Sequence, residues 1–170
     1  MIENIIQGKI FKLGNDIDTD QIYPGRYLYL TSPNEIAEHA MEDVVPDFFK
    51  KIAGENRIIV AGKNFGCGTS REHAPRALLF ARVKAIVAES FGRIFYRNAI
   101  KVGLPVIKLR GIIKKIKQND TIKIDLHTGI IYVTQLKKEY SFEKYPKQIL
   151  SILKSGGLIA YMKKYKSYYN

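Results

Sequence analysis

Apolar and polar positions follow two periods along this chain, one typical of β-strands and one typical of α-helices. Residues 5–11 alternate between apolar and polar, which predicts a strand with one buried face. Residues 57–62 and 84–88 are short, mostly apolar runs, which predict strands buried on both faces. Residues 105–109 predict a further strand. Four strands are therefore expected in the first two thirds of the chain.

Helical patterns lie between these strands. Ser32 is followed by a proline and an acid, which predicts a helix that Ser32 caps. Pro46 predicts the start of a second, short helix. Residues 69–81 and 91–102 predict two longer helices. An alternation of strands and helices of this kind calls for parallel strands joined by helices.

The last third of the chain has a different pattern, with short strands close together. Residues 121–126 and 130–134 lie on either side of a His-Thr-Gly turn, which is a strong signal for a hairpin. Residues 139–142 can add a strand, and residues 145–165 are helical in pattern with a break at a Gly-Gly pair. The sequence therefore predicts an α/β fold with a mostly parallel core and an antiparallel hairpin portion.

Length and composition fit one globular domain. The chain has 170 residues, of which 46% are hydrophobic, and neither an internal repeat nor a low-complexity linker divides it. No apolar run approaches the ~18–20 residues that a membrane span requires, and residues 1–4 do not resemble a signal peptide. We therefore expect a single domain over residues 1–170, a cytoplasmic location and no contact with a membrane.

The formal net charge of +12 admits three interpretations. The basic residues can form a solvated surface, attract an acidic partner or a dicarboxylate substrate, or bind nucleic acid. No RNP motif, zinc-finger spacing or helix-turn-helix spacing is present, and this disfavours nucleic-acid binding. A non-catalytic basic module that binds RNA or an acidic protein remains the alternative from a different functional class.

The residues that could bind a metal are few. Cys67 is the one cysteine and there are three histidines, so the chain cannot hold a cysteine-rich iron–sulfur cluster by itself. One cysteine also excludes an internal disulfide and agrees with a reducing compartment. Asp16, Asp18 and Asp20 do not follow the calcium-loop pattern, so turn and capping roles are expected for them. Any iron–sulfur cluster must take its ligands from another chain.

The sharpest chemical feature is the segment Asn-Phe-Gly-Cys-Gly-Thr-Ser-Arg-Glu-His-Ala-Pro at residues 64–75, between a predicted strand and a predicted helix. Ligands of α/β sheets bind at the carboxyl ends of strands, and the N–H groups of a helix N-terminus favour anions. The hydroxyls of Thr69 and Ser70 precede Arg71, whose guanidinium can bind a carboxylate with two parallel hydrogen bonds. The segment therefore predicts a site for a carboxylate substrate.

A purely structural interpretation of this segment is equally open. Thr69 or Ser70 can be the N-cap of the helix, with Glu72 completing a capping box. A phosphate-binding P-loop and a nucleophile elbow both fit the residues around Gly68 less well. Cys67 has no evident histidine base nearby in the sequence, so a free, packed thiol is expected.

Three motifs taken together resemble one protein family. The segment at 64–75 is accompanied by Asp-Ile-Asp-Thr-Asp-Gln-Ile-Tyr-Pro at 16–24 and by Glu-Ser-Phe-Gly-Arg-Ile-Phe-Tyr-Arg-Asn-Ala at 89–99. Their order and spacing resemble the small subunits of 3-isopropylmalate dehydratase, in the aconitase superfamily. Gly-Gly-Leu at 156–158 also resembles this family, so the similarity covers nearly the whole chain.

This resemblance implies an aconitase-type swivel domain, a three-layer β/β/α arrangement. It implies that this chain binds no cofactor and that a large subunit carries a 4Fe-4S cluster, whose labile iron binds the substrate. The implied reaction isomerises 2-isopropylmalate and 3-isopropylmalate by dehydration and rehydration in leucine biosynthesis. The implied partners are the large subunit and a small dicarboxylate substrate, and the chain alone would be inactive.

The resemblance also implies roles for three consecutive residues. Thr69 stands at the position of the family's catalytic base, a hydroxyl that acts as an alkoxide. Ser70 and Arg71 stand at positions that contact the substrate carboxylate. Threonine is a departure from the family's serine at the first position, and its extra methyl group restricts the side-chain rotamer.

The segment Tyr27-Leu28-Tyr29-Leu30-Thr31 resembles the loop that faces the variable side chain of the substrate in this family. Homologues that act on homoaconitate-type substrates tend to have arginine where Tyr29 stands, to pair with the extra carboxylate. Tyr29 and Leu30 instead favour isopropylmalate, because an isopropyl group needs only an apolar wall. A homoaconitase, a citraconate or methylmalate hydro-lyase, and a flexible loop held by buried aromatic residues remain open alternatives.

Overall fold

The computed structural model describes residues 4–68 and 71–166, and the architecture below refers to these residues. The strands are β1 (Ile5–Lys12), β2 (Arg57–Ala61), β3 (Val83–Ala88), β4 (Val106–Lys108), β5 (Thr121–Asp125), β6 (Ile130–Val133) and β7 (Lys138–Ser141). The helices are α1 (Thr19–Ile22), α2 (Pro33–Glu38), α3 (Phe48–Ile52), α4 (His73–Phe80), α5 (Arg93–Val102), α6 (Lys147–Lys154) and α7 (Leu158–Lys166). Short 3-10 turns occupy Gly25–Tyr27 and Ile112–Lys114.

Within the described residues, the seven strands form one mixed sheet in the order β4-β3-β2-β1-β5-β6-β7. The strands β1 to β4 pair in parallel, and β5 to β7 continue the sheet in antiparallel pairs from the other side of β1. This confirms the predicted α/β fold with a parallel core and an antiparallel hairpin portion. The parallel and antiparallel parts of the sheet differ in burial. Every residue of β2 is buried, whereas β5 and β6 alternate between buried and more exposed positions.

Several helices are present where the sequence predicted them, but they begin later. The helix expected from Pro46 begins only after Asp47, because Asp47 adopts a left-handed φ of 58°. α5 begins after Phe91, because Phe91 pairs with Phe65 as a short parallel bridge. The helix predicted at Ser32 is α2, although the Ser32 side chain makes no capping hydrogen bond in the described part of the chain. Tertiary pairing therefore shortens α5, whose start the local sequence placed earlier.

The C-terminal helices α6 and α7 are separated at the predicted Gly-Gly pair. Gly157 has a φ of 114°, and a Cβ atom there would lie 2.6 Å from the backbone oxygen of Lys101. The backbone therefore approaches α5 closely, and glycine is required at this contact. None of the helices in the described ranges combines the length and the apolar character needed to cross a membrane.

Tyr145 covers the open side of β4, which is the last strand of the sheet on that side. Its hydroxyl accepts a hydrogen bond from the backbone N–H of Val106 at 2.9 Å and donates one to the Val106 carbonyl. The side chain is buried, and burial raises the pKa of the phenol well above its ordinary value. The hydroxyl therefore stays protonated and satisfies both backbone groups of an edge residue.

Replacing Tyr145 with phenylalanine is expected to lower the free energy of unfolding by about 2–3 kcal/mol. The ring would still fill its space, but the buried N–H and C=O of Val106 would lose their partner. Urea unfolding followed by circular dichroism measures this loss. Tyr132→Phe on β6 is the matched control, because the described residues give the Tyr132 hydroxyl no hydrogen bond. Equal losses in the two variants would contradict the role of Tyr145.

Candidate functional site

Three loops meet beyond the carboxyl ends of β1, β2 and β3, which are neighbours in the sheet. The motifs at residues 16–24, 64–75 and 89–99 begin in these loops, and the last two continue into α4 and α5. Short parallel bridges link the middle loop to each of its neighbours. Because the carboxyl ends of parallel strands lie at one edge of a sheet, motifs that are far apart in sequence form one surface.

Backbone hydrogen bonds extend the sheet into these loops. The N–H of Gly66 donates to the carbonyl of Ile17 at 2.7 Å, and the N–H of Thr19 donates to the carbonyl of Cys67 at 2.8 Å. On the other side, the N–H of Phe65 donates to a backbone carbonyl of the loop after β3 at 3.0 Å. The backbone of the middle loop is therefore held from both sides up to Cys67, just before the predicted site residues.

Gly66 allows the middle loop to pass directly over α5. Its φ is 74°, in the left-handed region, and a Cβ atom there would lie 2.2 Å from Cγ of Phe95. Phe95 is buried and packs edge-on against Phe65, with 5.4 Å between ring centroids. A larger residue at Gly66 would therefore displace the aromatic core beneath the loop.

The first loop contains the acidic residues for which turn and capping roles were predicted. Asp18 caps α1: its Oδ1 accepts from the N–H of Gln21 at 2.8 Å, and Gln21 Oε1 accepts from the N–H of Asp18 at 2.9 Å. Asp16 Oδ1 accepts from Nδ2 of Asn64 at 2.8 Å. The prediction is confirmed for Asp18, whereas Asp16 binds a side chain of the middle loop. Asp20 differs, because it pairs with an arginine of the middle loop.

Arg71 reaches across from the middle loop to the loop after β1. Its Nη1 donates to Oδ1 of Asp20 at 2.9 Å, and a Cβ atom at Gly25 would lie 2.9 Å from the same nitrogen. The Arg71 side chain is 38% exposed, so donors of its fork remain open to a carboxylate ligand. Sequence patterns gave no signal for this partner, because Asp20 and Arg71 are 51 positions apart.

Thr69 and Ser70, the predicted base and carboxylate contact, lie outside the described residues. The helix that follows them begins at His73, with Glu72 as its N-cap. The expected helix start at residue 69, and a capping box in which Thr69 or Ser70 is the N-cap, are therefore wrong. The free amides of the helix N-terminus therefore belong to residues beyond Arg71.

The segment 27–31 projects from the loop that the Arg71 guanidinium contacts. Tyr29 is 75% exposed at its tip, whereas Leu28 and Leu30 are half-buried against the core. The segment therefore presents an aromatic ring outward. Such a surface can form an apolar wall for a ligand or a contact with another chain.

Cys67 is a free thiol and is half-buried. Burial raises the pKa of this thiol, and the negative charges of Asp18 and Asp16 raise it further. The thiol therefore stays protonated at neutral pH and is a poor nucleophile, which agrees with the predicted packed cysteine. Across residues 4–68 and 71–166, no group of three or more His, Cys, Asp or Glu side chains is arranged to hold a metal ion.

Comparison with known proteins gives consistent matches over most of the sequence. Residues 9–111 match the Aconitase C-terminal domain. The 3-isopropylmalate dehydratase small subunit of Aquifex aeolicus is 48% identical over 157 residues, which cover 92% of this chain and 94% of that protein. The isopropylmalate/citramalate isomerase small subunit of Methanocaldococcus jannaschii is 47% identical over 163 residues, which cover 96% of each chain.

A solved structure supports the same relation. The crystal structure of a 3-isopropylmalate dehydratase chain from Methanocaldococcus jannaschii superposes with a TM-score of 0.88 at 45% sequence identity, and the match covers 95% of each chain. The matched region 9–111 contains all three loops of the candidate site. The similarity therefore includes the surface on which Arg71 lies, and not only the strands beneath it.

Proposed function

Because this chain belongs to the family of 3-isopropylmalate dehydratase small subunits, within the aconitase C-terminal domain family, we propose that it completes the active site of an aconitase-type hydro-lyase. The proposed reaction isomerises 2-isopropylmalate and 3-isopropylmalate by dehydration and rehydration, in leucine biosynthesis. The observation that carries the proposal is the meeting of three family motifs at one sheet edge, with the Arg71 fork partly exposed there. A guanidinium in this setting suits a carboxylate of a small dicarboxylate substrate.

Arg71 is the proposed clamp for a substrate carboxylate. The bond from its Nη1 to Asp20 orients the guanidinium while leaving other donors of the fork open. Those donors bind the two oxygens of the carboxylate in parallel, and Asp20 holds the guanidinium in place. Ser70 is proposed to donate its hydroxyl to the same substrate, from the adjacent position in the chain.

Thr69 is the proposed base. In dehydration its oxygen, as an alkoxide, accepts the proton from the carbon beside a carboxylate, and the electron pair of that C–H bond forms the double bond as hydroxide leaves the neighbouring carbon. The iron expected on the large subunit would supply the Lewis acid that takes up this hydroxide. In rehydration the same oxygen returns the proton to the carbon that lost the hydroxyl, and the hydroxyl adds to the carbon that lost the proton, so the two groups exchange places. The positive charge of Arg71, two residues along the chain, favours the ionised form of the Thr69 hydroxyl.

The segment 27–31 is proposed to receive the variable side chain of the substrate. Tyr29 is uncharged and exposed, and Leu30 is apolar, so the segment suits an isopropyl group and offers no cation for a third carboxylate. Citramalate-type substrates are the second candidate, because the name of one close relative includes citramalate.

The proposal assigns the 4Fe-4S cluster to a separate large subunit. This chain has one cysteine, and the residues that the structure describes bring no set of metal ligands together, so they do not fit such a cluster. The small subunit alone is therefore expected to be inactive. We also propose that residues 1–170 act as a single domain in the cytoplasm; the continuous sheet supports the first point and the single cysteine supports the second.

Anaerobic reconstitution with the large subunit of the same organism tests this proposal. Neither chain alone should hydrate an alkene. The pair should hydrate the alkene derived from isopropylmalate with a kcat/KM at least about 10-fold above the values for citraconate and for the homoaconitate-type alkene. A preference for citraconate would favour the citramalate alternative. No turnover of any alkene, together with salt-sensitive retention on RNA, would favour the non-catalytic basic module.

A further inference from the structure

A cluster of charged and aromatic side chains lies at the base of the segment 27–31. We call it the anchor cluster, and it consists of Arg26, Tyr27, His39, Glu42 and Asp43. Arg26 donates two parallel hydrogen bonds to Asp43, from Nη1 to Oδ2 at 2.9 Å and from Nη2 to Oδ1 at 2.6 Å. Nη2 also donates to Oε1 of Glu42. The Arg26 side chain therefore links the base of the segment 27–31 to the turns that follow α2.

The ring of Tyr27 connects these charges to the segment itself. It stacks on the ring of His39, with centroids 3.7 Å apart and planes 12° apart, and the guanidinium carbon of Arg26 lies 4.8 Å from its centroid. Nδ1 of His39 lies 2.7 Å from Oε2 of Glu42. The Tyr27 carbonyl accepts a hydrogen bond from the buried Tyr23 hydroxyl at 2.8 Å. Both the ring and the backbone of Tyr27 are thereby fixed.

The tip of the segment is Tyr29, which lies between two leucines that are half-buried against the core. Tyr29 is 75% exposed. The N–H of Leu28 donates to the carbonyl of Gly25 at 3.3 Å, and the N–H of Leu30 donates to the carbonyl of Tyr27 at 3.0 Å. A displacement of Tyr27 would therefore move the aromatic tip with it.

The Arg26 guanidinium and the Glu42 and Asp43 carboxylates are charged at neutral pH. The Arg26 guanidinium lowers the pKa of the Asp43 carboxyl. Burial acts to raise the pKa of the Glu42 carboxyl, but hydrogen bonds from His39 and two other members of the cluster outweigh it, and the pKa is lowered. A single exposed ion pair stabilises a fold little, whereas a bidentate pair within a network holds a fixed geometry.

We propose that Arg26, Glu42 and Asp43 are positioning residues that fix the segment 27–31, and thereby set how well the active site distinguishes substrate side chains. The inference rests on the proposed function, in which this segment faces the variable side chain. The three residues contact no substrate in this proposal. They act through Tyr27, whose ring they hold against the turns after α2.

The proposal predicts which kinetic quantity responds. A methylene group in an apolar pocket changes kcat/KM by about 10–200-fold, and this requires a wall held within about 0.5 Å of its place. Loss of the hydrogen bonds of the anchor cluster would let this wall move and would leave the proposed base and clamp unchanged. The ratio of kcat/KM between substrates with large and small alkyl groups should therefore fall, whereas kcat should change little.

The first test uses the reconstituted complex with Arg26→Met and with the double variant Glu42→Gln/Asp43→Asn. Each should lower the ratio of kcat/KM for the isopropylmalate-derived alkene over citraconate by at least about 5-fold, with kcat within about 2-fold of wild type. Lys9→Met is the matched control, because it breaks the exposed Lys9–Glu55 pair of 2.8 Å and should leave the ratio unchanged. An unchanged ratio in both anchor variants would overturn the proposal.

A second test measures amide hydrogen exchange in the isolated chain and does not depend on activity. Arg26→Met should speed exchange at the N–H groups of Leu28 and Leu30 by at least about 10-fold, while the amides of β2 keep their protection. Unchanged exchange at both amides would overturn the claim that the anchor cluster fixes the segment 27–31. If the wild-type complex turns over no alkene, the proposed function fails and exchange still decides whether the anchor holds the segment. Faster exchange with an unchanged substrate ratio would overturn the role in selectivity.

Discussion

Replacing Thr69 with alanine is expected to lower kcat of the reconstituted complex by about 10³-fold while leaving assembly intact. The substitution removes the oxygen that is proposed to take the substrate proton. The loop before it should keep its course, because backbone hydrogen bonds of Gly66 and Cys67 hold it to the loop after β1. Single-turnover hydration measures the chemical step, and co-elution with the large subunit in size-exclusion chromatography measures assembly.

Two neighbouring variants make this result specific. Thr69→Ser keeps the hydroxyl and should retain kcat within about 10-fold, since only a methyl group is lost. Ser70→Ala removes a hydroxyl one position away and should raise KM more than it lowers kcat, because its proposed partner is the bound carboxylate. If Thr69→Ala complexes turned over within 10-fold of wild type, the base would have to be another group.

Changing Arg71 to lysine is expected to lower kcat/KM by about 10²-fold, although the positive charge is retained. A guanidinium can donate to both oxygens of a carboxylate and to Asp20 at once, because its donors point in fixed directions. The ammonium group of lysine is a single point of charge and cannot reproduce that geometry. Steady-state kinetics with the isopropylmalate-derived alkene measures the loss, which should be greater in kcat/KM than in the stability of the complex.

The matched control is Arg82→Lys. Arg82 is exposed and precedes β3, so it lies at the edge of the sheet opposite the three loops. Arg82→Lys also keeps the positive charge and changes the shape of the side chain, but Arg82 is not near the proposed substrate. A loss of kcat/KM in Arg82→Lys equal to that in Arg71→Lys would mean that the effect is one of general charge and not of the clamp.

The strands of this chain were largely predictable, and the starts of the helices were not. Apolar runs at β2 and β3 indicated buried strands, because a parallel strand covered on both faces needs apolar residues at most positions. The start of α5 was placed two residues early, because the pairing of Phe91 with Phe65 is a contact between distant segments. Local capping preferences describe a helix in isolation and do not include such competition.

The candidate site was predictable to the level of its motifs. The carboxyl-end rule placed the segment 64–75 at a ligand-binding edge of the sheet, and its residue types indicated a carboxylate ligand. That the loops after β1 and β3 meet it there was not predicted. The partner of Arg71, and the anchor cluster around Arg26, were not predicted. Both depend on ion pairs across long separations in sequence, and nothing in the spacing of single charges indicates which pairs the fold will join.

A mixing experiment tests most directly whether this chain brings the base to an active site that the large subunit completes. The large subunit is held constant under anaerobic conditions, and an excess of small subunit is added in which the wild-type chain is progressively replaced by Thr69→Ala. Activity should fall in proportion to the variant's share and reach half at equal amounts of the two small-subunit chains. Activity that stays constant as the variant's share rises would contradict the account, because the variant would then either not occupy the same place or not need the Thr69 hydroxyl.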